Sequence, residues 1–270
     1  MYKDYYGFEE MPFNITPDPR FLYLSPKHQE ALEHLRYGIQ QRKGFIVLTG
    51  EVGCGKTTLC RKLLEELDEE NFETVLLLNP EVTKDQLLRD ILRELGVKVA
   101  LNTKVDLVNK IYEVLLKQIA SGKEIIMIVD ESQNLSDEVL EQIRLLSNLE
   151  TDNQKLLQII LMGQPEFKEK LRAKRLRQLK QRVLVYYELT PLNFSETFLY
   201  IQHRLTLAKG KKLPQFSYWA LRSIFKKSKG IPRIINNLCD KSLLSAYIGM
   251  SDCVSYRHVR RAHKELRQLS

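Results

Sequence analysis

Three glycines, a lysine and two threonines stand together in the stretch Val47 to Leu64, "VLTGEVGCGKTTLCRKLL". Gly50-x-x-x-x-Gly55-Lys56-Thr57 has the spacing of a loop that wraps phosphate. In such a loop successive N–H groups point at the anion, and glycine permits turns that other residues resist. On that reading Gly50, Glu51, Val52, Gly53, Cys54, Gly55, Lys56, Thr57 and Thr58 line a nucleotide site. Lys56 would neutralise the β- and γ-phosphates, and the Thr57 hydroxyl would ligate Mg²⁺. A glycine-rich turn without ligand is the bland alternative. The flanks oppose it: residues 45–49 read as a β-branched-rich strand, and from Lys56 onward Leu59, Leu63, Leu64 and Leu67 recur at helical spacing.

A second pair of residues narrows the chemistry. In "EIIMIVDE", residues 124–131, four apolar residues from Ile126 to Val129 run into Asp130 and Glu131. Two carboxylates then stand at the C-terminal end of a buried strand. Asp130 would hold Mg²⁺ through water, and Glu131 would polarise an attacking water. A strand ending in solvated acids would look the same by itself. A kinase acting on an organic acceptor has less need of the adjacent glutamate, so hydrolysis is expected. There is no Asn-Lys-x-Asp motif to read guanine, so ATP is expected rather than GTP.

Three further side chains are candidates. A later strand ends Met162-Gly163-Gln164-Pro165, where Gln164 either senses the γ-phosphate or is simply a polar loop residue. Arg182 immediately precedes the last strand, a position from which an arginine can reach a neighbouring subunit's nucleotide. Arg172 and Arg175 compete for that role. Gly230-Ile231-Pro232-Arg233 opens a helix with a fixed turn, which could aim Arg233 at the γ-phosphate; a surface arginine is the alternative.

The elements that must position these groups follow from periodicity. Apolar strands at 45–49, 74–78, 124–131, 156–162 and 183–189 alternate with helical patterns at 26–42, 56–71, 83–95, 104–120 and 137–148. Strands apolar on both faces imply a parallel sheet covered on both sides. After Pro191 only helical patterns remain, near 195–208, 216–228, 231–248 and 255–268. The expected fold is α/β: a phosphate-loop parallel sheet flanked by helices over residues 1–190, then an all-helical domain over 191–270. Residues 1–25 are aromatic and proline-rich without a regular pattern, and are expected to pack on the α/β domain. No internal repeat is visible.

The composition, 43% hydrophobic and 28% charged over 270 residues, is ordinary for a soluble globular chain. No apolar run approaches 18 residues, so no transmembrane segment is expected, and the N-terminus lacks a signal-peptide core. Four cysteines without a C-x-x-C pair suggest neither a disulfide framework nor a zinc site. Cys54 inside the phosphate loop suits a reducing cytosol, with a redox switch as the lesser alternative. The net charge of +8 is uneven: residues 168–182 hold eight Lys/Arg against one acid, and residues 200–270 hold fifteen against three. The basic half fits a solvated face, a nucleic-acid footprint, an acidic partner or an anionic membrane, and charge alone does not choose.

Taken together, these elements resemble the AAA+ ATPases, an AAA+ core followed by a helical lid. The stretch "YYGFEEMPFNITPDPRFLYLSPKHQEALEHLRYGIQQRKGFIVLTGEVGCGKTTL" narrows the resemblance to the ExeA/GspA-type ATPases of general secretion, and "VDESQNL", "LLQIILMGQPEF", "LKQRV" and "GIPRIINNLCDKSLLSAY" extend it along the chain. The resemblance implies ATP-driven assembly or remodelling of a partner complex at the inner membrane by a homo-oligomeric ring or filament. It also implies that Arg182 is the trans arginine finger and Arg233 the lid sensor. There are departures. Larger members of that family carry a membrane span and a peptidoglycan-binding segment after the ATPase, which are not seen here. The strand end reads DESQ where DEAQ is expected. ATPases of transposition, of the TniB and Mu B kind, resemble the same core and bind DNA, so the basic residues 200–270 keep DNA open as a partner.

Overall fold

The computed structural model describes residues 2–16, 18–68, 70–78, 81–98, 104–150, 155–210 and 213–268. Along the chain run α1 (Tyr2–Tyr6), α2 (Pro26–Gln40), β1 (Phe45–Gly50), α3 (Lys56–Glu66), β2 (Phe72–Leu77), α4 (Lys84–Glu94) and α5 (Lys104–Ala120). They are followed by β3 (Glu124–Val129), α6 (Asp137–Leu146), β4 (Gln158–Gly163), α7 (Pro165–Leu171), α8 (Arg177–Arg182) and β5 (Val183–Leu189). Then come four helices, α9 (Phe194–Leu207), α10 (Tyr218–Ser228), α11 (Pro232–Ile248) and α12 (Tyr256–Leu266), with a short parallel pair, β6 (Gln215–Phe216) and β7 (Cys253–Val254), that the expectation of an all-helical domain did not include. Contacts divide the chain into a sheet unit, His28–Gly50 with Cys60–Leu189, and a helical unit, Met1–Lys27 with Glu51–Leu59 and Thr190–Ser270.

In the sheet unit five parallel strands lie in the order β2-β3-β4-β1-β5. β1 and β4 are buried along their whole length, which is why they read as unbroken apolar runs. β5 stands at the sheet edge and alternates instead: Val185, Tyr187 and Leu189 are buried while Leu184, Tyr186 and Glu188 are exposed. Val47, Ile91, Met127, Val129, Ile143, Leu161 and Phe167 belong to one core cluster. Each such side chain, fully buried, contributes about 1.5–3 kcal/mol. Because the strands are parallel, their C-terminal ends share one edge: Thr49 pairs with Gly163, and Val129 with Leu161. Gly50, Asp130 and Gln164 therefore leave the sheet on the same side. Gly50 ends β1 so close to β5 that a Cβ there would sit 2.6 Å from the Leu189 carbonyl oxygen.

Two short helices, α7 and α8, occupy a stretch where the pattern suggested none. Their basic residues obscured the apolar positions Phe167, Leu171, Leu176 and Leu179, all buried in the sheet unit's core.

The helical unit has its own core, in which Tyr2, Tyr6, Phe8 and Phe13 are packed with Tyr200, Ile224, Leu238 and Leu243. This corrects the expectation that residues 1–25 pack on the α/β domain. It also shows a helix, α1, where no regular element was expected. A proline-rich segment has carbonyls without ladder partners, and the buried Arg204 of α9 supplies donors for them. Its Nε donates to Pro12 O at 2.5 Å and its Nη2 to Asn14 O at 3.0 Å, while Nη1 donates to the Tyr200 hydroxyl at 3.0 Å. Tyr2 donates to Asp240 of α11 at 2.5 Å, and the Phe21 ring lies 4.8 Å from the Arg204 guanidinium.

Candidate nucleotide site

The loop belongs to the helical unit and is shaped by backbone. Gly53 and Gly55 have φ of 82° and 97°, the left-handed region that glycine enters without cost. Gly53 also allows a close approach: a Cβ there would lie 2.5 Å from the Cβ of Arg233. The Arg233 N–H, one of the unpaired donors at the start of α11, is satisfied by the Gly53 carbonyl at 3.2 Å. The predicted sensor arginine is thus brought to the predicted phosphate loop, with its side chain exposed. Gly230 makes this turn possible. Its φ is 79°, and a Cβ would fall 1.8 Å from the Leu192 carbonyl oxygen. Lys56 is 6% exposed and its Nζ donates to Glu51 O at 3.2 Å, so the loop's own main chain holds the cation. Cys54 is buried, and burial pushes its thiol up to about 11. It stays protonated at neutral pH, which counts against the redox switch.

The carboxylates belong to the sheet unit and are shaped by side chains. Asp130 is 4% exposed; its N–H donates to Leu77 O at 2.9 Å, and its Oδ1 accepts the Glu131 N–H at 2.8 Å. Glu131 has φ 51° and ψ 38°. A non-glycine residue there costs about 1–3 kcal/mol, and such strain clusters at functional sites. Its Oε2 accepts from Gln133 Nε2 at 2.5 Å and from Gln164 Nε2 at 3.1 Å. Gln164 also donates its N–H to Gln133 Oε1 at 3.0 Å. Ser132, where the resemblance expected alanine, closes the turn by donating to Val129 O at 3.0 Å. Burial, with the Asp130 charge adding, pushes the Cys60 thiol up to about 12.

So the structure gathers Asp130, Glu131 and Gln164 at one sheet edge, as their strands required. Gln133 is the residue the sequence reading passed over. It was visible only as the last letter of DESQ.

The candidate finger arginines are all engaged within the sheet unit. Arg182 ends α8 and donates from Nη1 to Ser147 Oγ at 2.7 Å and to Arg144 O at 3.4 Å, capping the C-terminal end of α6. Arg172 pairs with Glu169 at 2.6 Å, and Arg175 pairs with Asp137. Those two side chains are 57% and 69% exposed, so their ion pairs are weak, whereas Arg182 is half-buried.

Residues 39–171 match the family model described as an AAA domain. The chain is 45% identical over 248 residues to General secretion pathway protein A of Aeromonas hydrophila, a match covering 92% of this chain and 45% of that protein. The chain carries an AAA domain and is related to that secretion protein. It spans less than half of the relative's length. Solved structures share the fold of this AAA protein at low identity. The Aeropyrum pernix ORC2 protein, in ADPNP–ADP complexes, gives a TM-score of 0.68 at 17% identity, covering 96% of this chain and 72% of that one. The Aeropyrum pernix ORC1 protein in complex with DNA gives 0.69 at 17%, covering 96% and 70%. The Thermotoga maritima RuvB Holliday junction branch migration motor gives 0.59 at 18%, covering 88% and 68%.

Proposed function

We propose that this AAA protein binds ATP with Mg²⁺ through residues 50–58, hydrolyses it with Glu131 as the base, and uses turnover to assemble or remodel an envelope or secretion complex. The observation that carries the reading is the Glu131 carboxylate. It stands one residue past the buried Asp130, fixed by two amides, at the sheet edge from which β1 enters the phosphate loop. A carboxylate held in one orientation can polarise a water in line with a phosphoryl group.

Thr57 and Asp130 offer a hydroxyl and a carboxylate, the hard oxygen donors that Mg²⁺ takes. The ion would supply neutralisation of the β- and γ-oxygens. Lys56 adds a positive charge on the same phosphates, and Arg233, tied to the loop at Gly53, reads the γ-phosphate. Gln164 orients the water or the γ-phosphate beside Glu131. Arg182 acts in trans on a neighbouring copy of the chain in a ring or filament, exchanging Ser147 for a phosphate.

The setting is the cytoplasmic face of the inner membrane, in a peripheral association. Support for it is the secretion relative alone. The same relative disfavours a DNA-binding regulator of transposition.

Two variants test the hydrolytic assignment. Lys56→Ala should weaken ATP binding by about 10- to 100-fold, the worth of a hydrogen bond to a charged group. Glu131→Gln should bind ATP normally and lose about 100-fold or more in turnover, because general-base catalysis is removed. Equilibrium binding and phosphate release read both. Wild-type turnover in Glu131→Gln would remove that residue from the mechanism.

A further inference from the structure

The amide of Gln133 is used at both ends. Its Nε2 donates to Glu131 Oε2 at 2.5 Å, and its Oε1 accepts the Gln164 N–H at 3.0 Å. Gln164 closes the ring, donating its own Nε2 to the same Glu131 oxygen at 3.1 Å. A primary amide can donate to a carboxylate at one end and accept an N–H at the other. A glutamate would set two carboxylates against each other, and an alanine would leave Glu131 with one amide donor instead of two.

The backbone that carries Gln133 is fixed independently. Lys170 of α7 donates to the Gln133 carbonyl at 3.2 Å and also to the Leu135 carbonyl. Ser132 holds the turn to Val129 O. Glu131 itself is kept in left-handed backbone, a conformation that persists only where surrounding contacts over-determine it. No local structural need explains the choice of residue: Gln133 lies within a three-residue helical turn, Ser132–Asn134, that its side chain does not cap. What it does is join the β3 turn to the end of β4, two segments 31 residues apart.

We propose that Gln133 is a positioning residue for hydrolysis. It orients the Glu131 carboxylate through Oε2 and ties that orientation to Gln164. The inference rests on the reading of Glu131 as the base. Because Gln164 holds both members of the ring, displacement of its side chain toward a phosphate would be felt by the carboxylate through Gln133. Base orientation and γ-phosphate occupancy would then share one amide.

The test measures turnover, ATP affinity and thermal midpoint in the full chain. Gln133→Ala should lose about 10- to 100-fold in kcat, the cost of a catalytic group misplaced by an ångström or less, with KM and ATP affinity within about 2-fold of wild type. Gln133→Glu is nearly isosteric; it should lose at least as much, with the thermal midpoint reporting whether it is folded. Gln133→Asn, one methylene shorter, should recover part of the rate by keeping one of the two bonds. Gln164→Ala should cost much less in the Gln133→Ala background than alone, since the two side chains act as a unit. A change in thermal midpoint with kcat preserved would mean that Gln133 only holds the turn together, and overturns the proposal. Wild-type kcat in Gln133→Glu overturns it as well. Glu131→Gln, assayed alongside, separates the two readings. If it turns over normally the base assignment itself has failed. If it stalls while both Gln133→Ala and Gln133→Glu run at the wild-type rate, only the positioning role has.

Discussion

The phosphate loop and the turn after β3 hold their charged side chains by different means. In the loop the Lys56 ammonium is tied to a carbonyl only five residues back, and Arg233 is engaged through its backbone N–H on Gly53 O. The shape comes from glycines in left-handed conformations, so the arrangement is mostly main chain. In the turn after β3 the Glu131 carboxylate is held by side-chain amides, one of them 33 residues away, and the backbone beneath it is strained. The loop is therefore vulnerable to atoms added, and the turn to donors removed. Substitutions that respect one construction should damage the other.

The largest effect is expected at Arg182, which fits neither construction: its guanidinium is held by a hydroxyl and a carbonyl at the end of α6. As a trans finger it should be worth about 10³-fold in rate. Arg182→Ala should then bind ATP normally, turn over about 10³-fold more slowly, and show no rise in specific activity with protein concentration. Ser147→Ala, which removes the hydroxyl that holds it, should leave turnover unchanged or faster. If Arg182→Ala keeps its turnover and only lowers the melting midpoint, the residue is a helix cap, and Arg172 or Arg175 takes its place as the candidate.

Next come the glycines, which test whether the loop is built from main chain. Gly230→Ala should cost more than about 3 kcal/mol, because the added carbon meets a backbone carbonyl that cannot rotate away. Gly53→Ala should cost about 1–2 kcal/mol for the left-handed backbone and about 1–3 more for its collision with the Arg233 Cβ, and should weaken ATP binding. Gly96 provides the control. Its φ is 74°, but a Cβ there meets nothing within 4 Å, so Gly96→Ala should show the backbone cost alone. Denaturant melts of the three variants, together with ATP titrations, measure this. Equal costs at Gly53 and Gly96 would mean that the approach of Arg233 to the loop carries no energy.

These constructions also explain what could be read from the chain. Gly50, Gly55, Lys56 and Thr57 are neighbours in sequence, so their spacing is itself the geometry. β1, β3 and β4 are covered on both faces, so their apolar runs announce strands and the parallel order follows. Gln133 was silent because its role exists only once β4 delivers Gln164 beside it. The aromatic residues at 2–13 announced that they would be buried but not where, since an irregular segment carries no periodicity to match a partner face. Arg204, which determines that destination, read only as one more charge in the basic half. Within that half, Lys211 and Lys212 lie outside the described residues, while Lys226, Arg260 and Arg261 are exposed on α10 and α12.

The smallest effect, and one that separates the two units rather than two variants, is expected from acid. In the helical unit His203, His258 and His263 are all held below the ordinary histidine value, each chiefly by burial. The neighbouring Arg204 adds to this at His203, and Lys227 and Arg267 add to it at His263. A ring whose folded pKa is lowered stays neutral in the fold, while the unfolded chain takes up its proton near pH ~6.5. The stabilising difference is therefore complete above that pH and is lost as pH falls toward the lower, folded value. In the sheet unit the carboxylates Glu141, beside Arg144, and Glu188, beside Lys168, are held below their usual range by those cations. Their contribution is complete above pH ~4.3 and is lost only below it. Between pH 7 and pH 5 these histidines should weaken the helical unit, while Glu141 and Glu188 stay ionised in the sheet unit. His203 is the residue to change, because its Nε2 is buried without a hydrogen-bond partner, and its bond to the Leu22 backbone offsets only part of the effect of burial. His203→Gln keeps a donor but cannot titrate, so its melting midpoint should fall less steeply from pH 7 to pH 5 than that of the parent. An identical slope in both proteins would remove His203 from the acid response and leave it to His258 and His263.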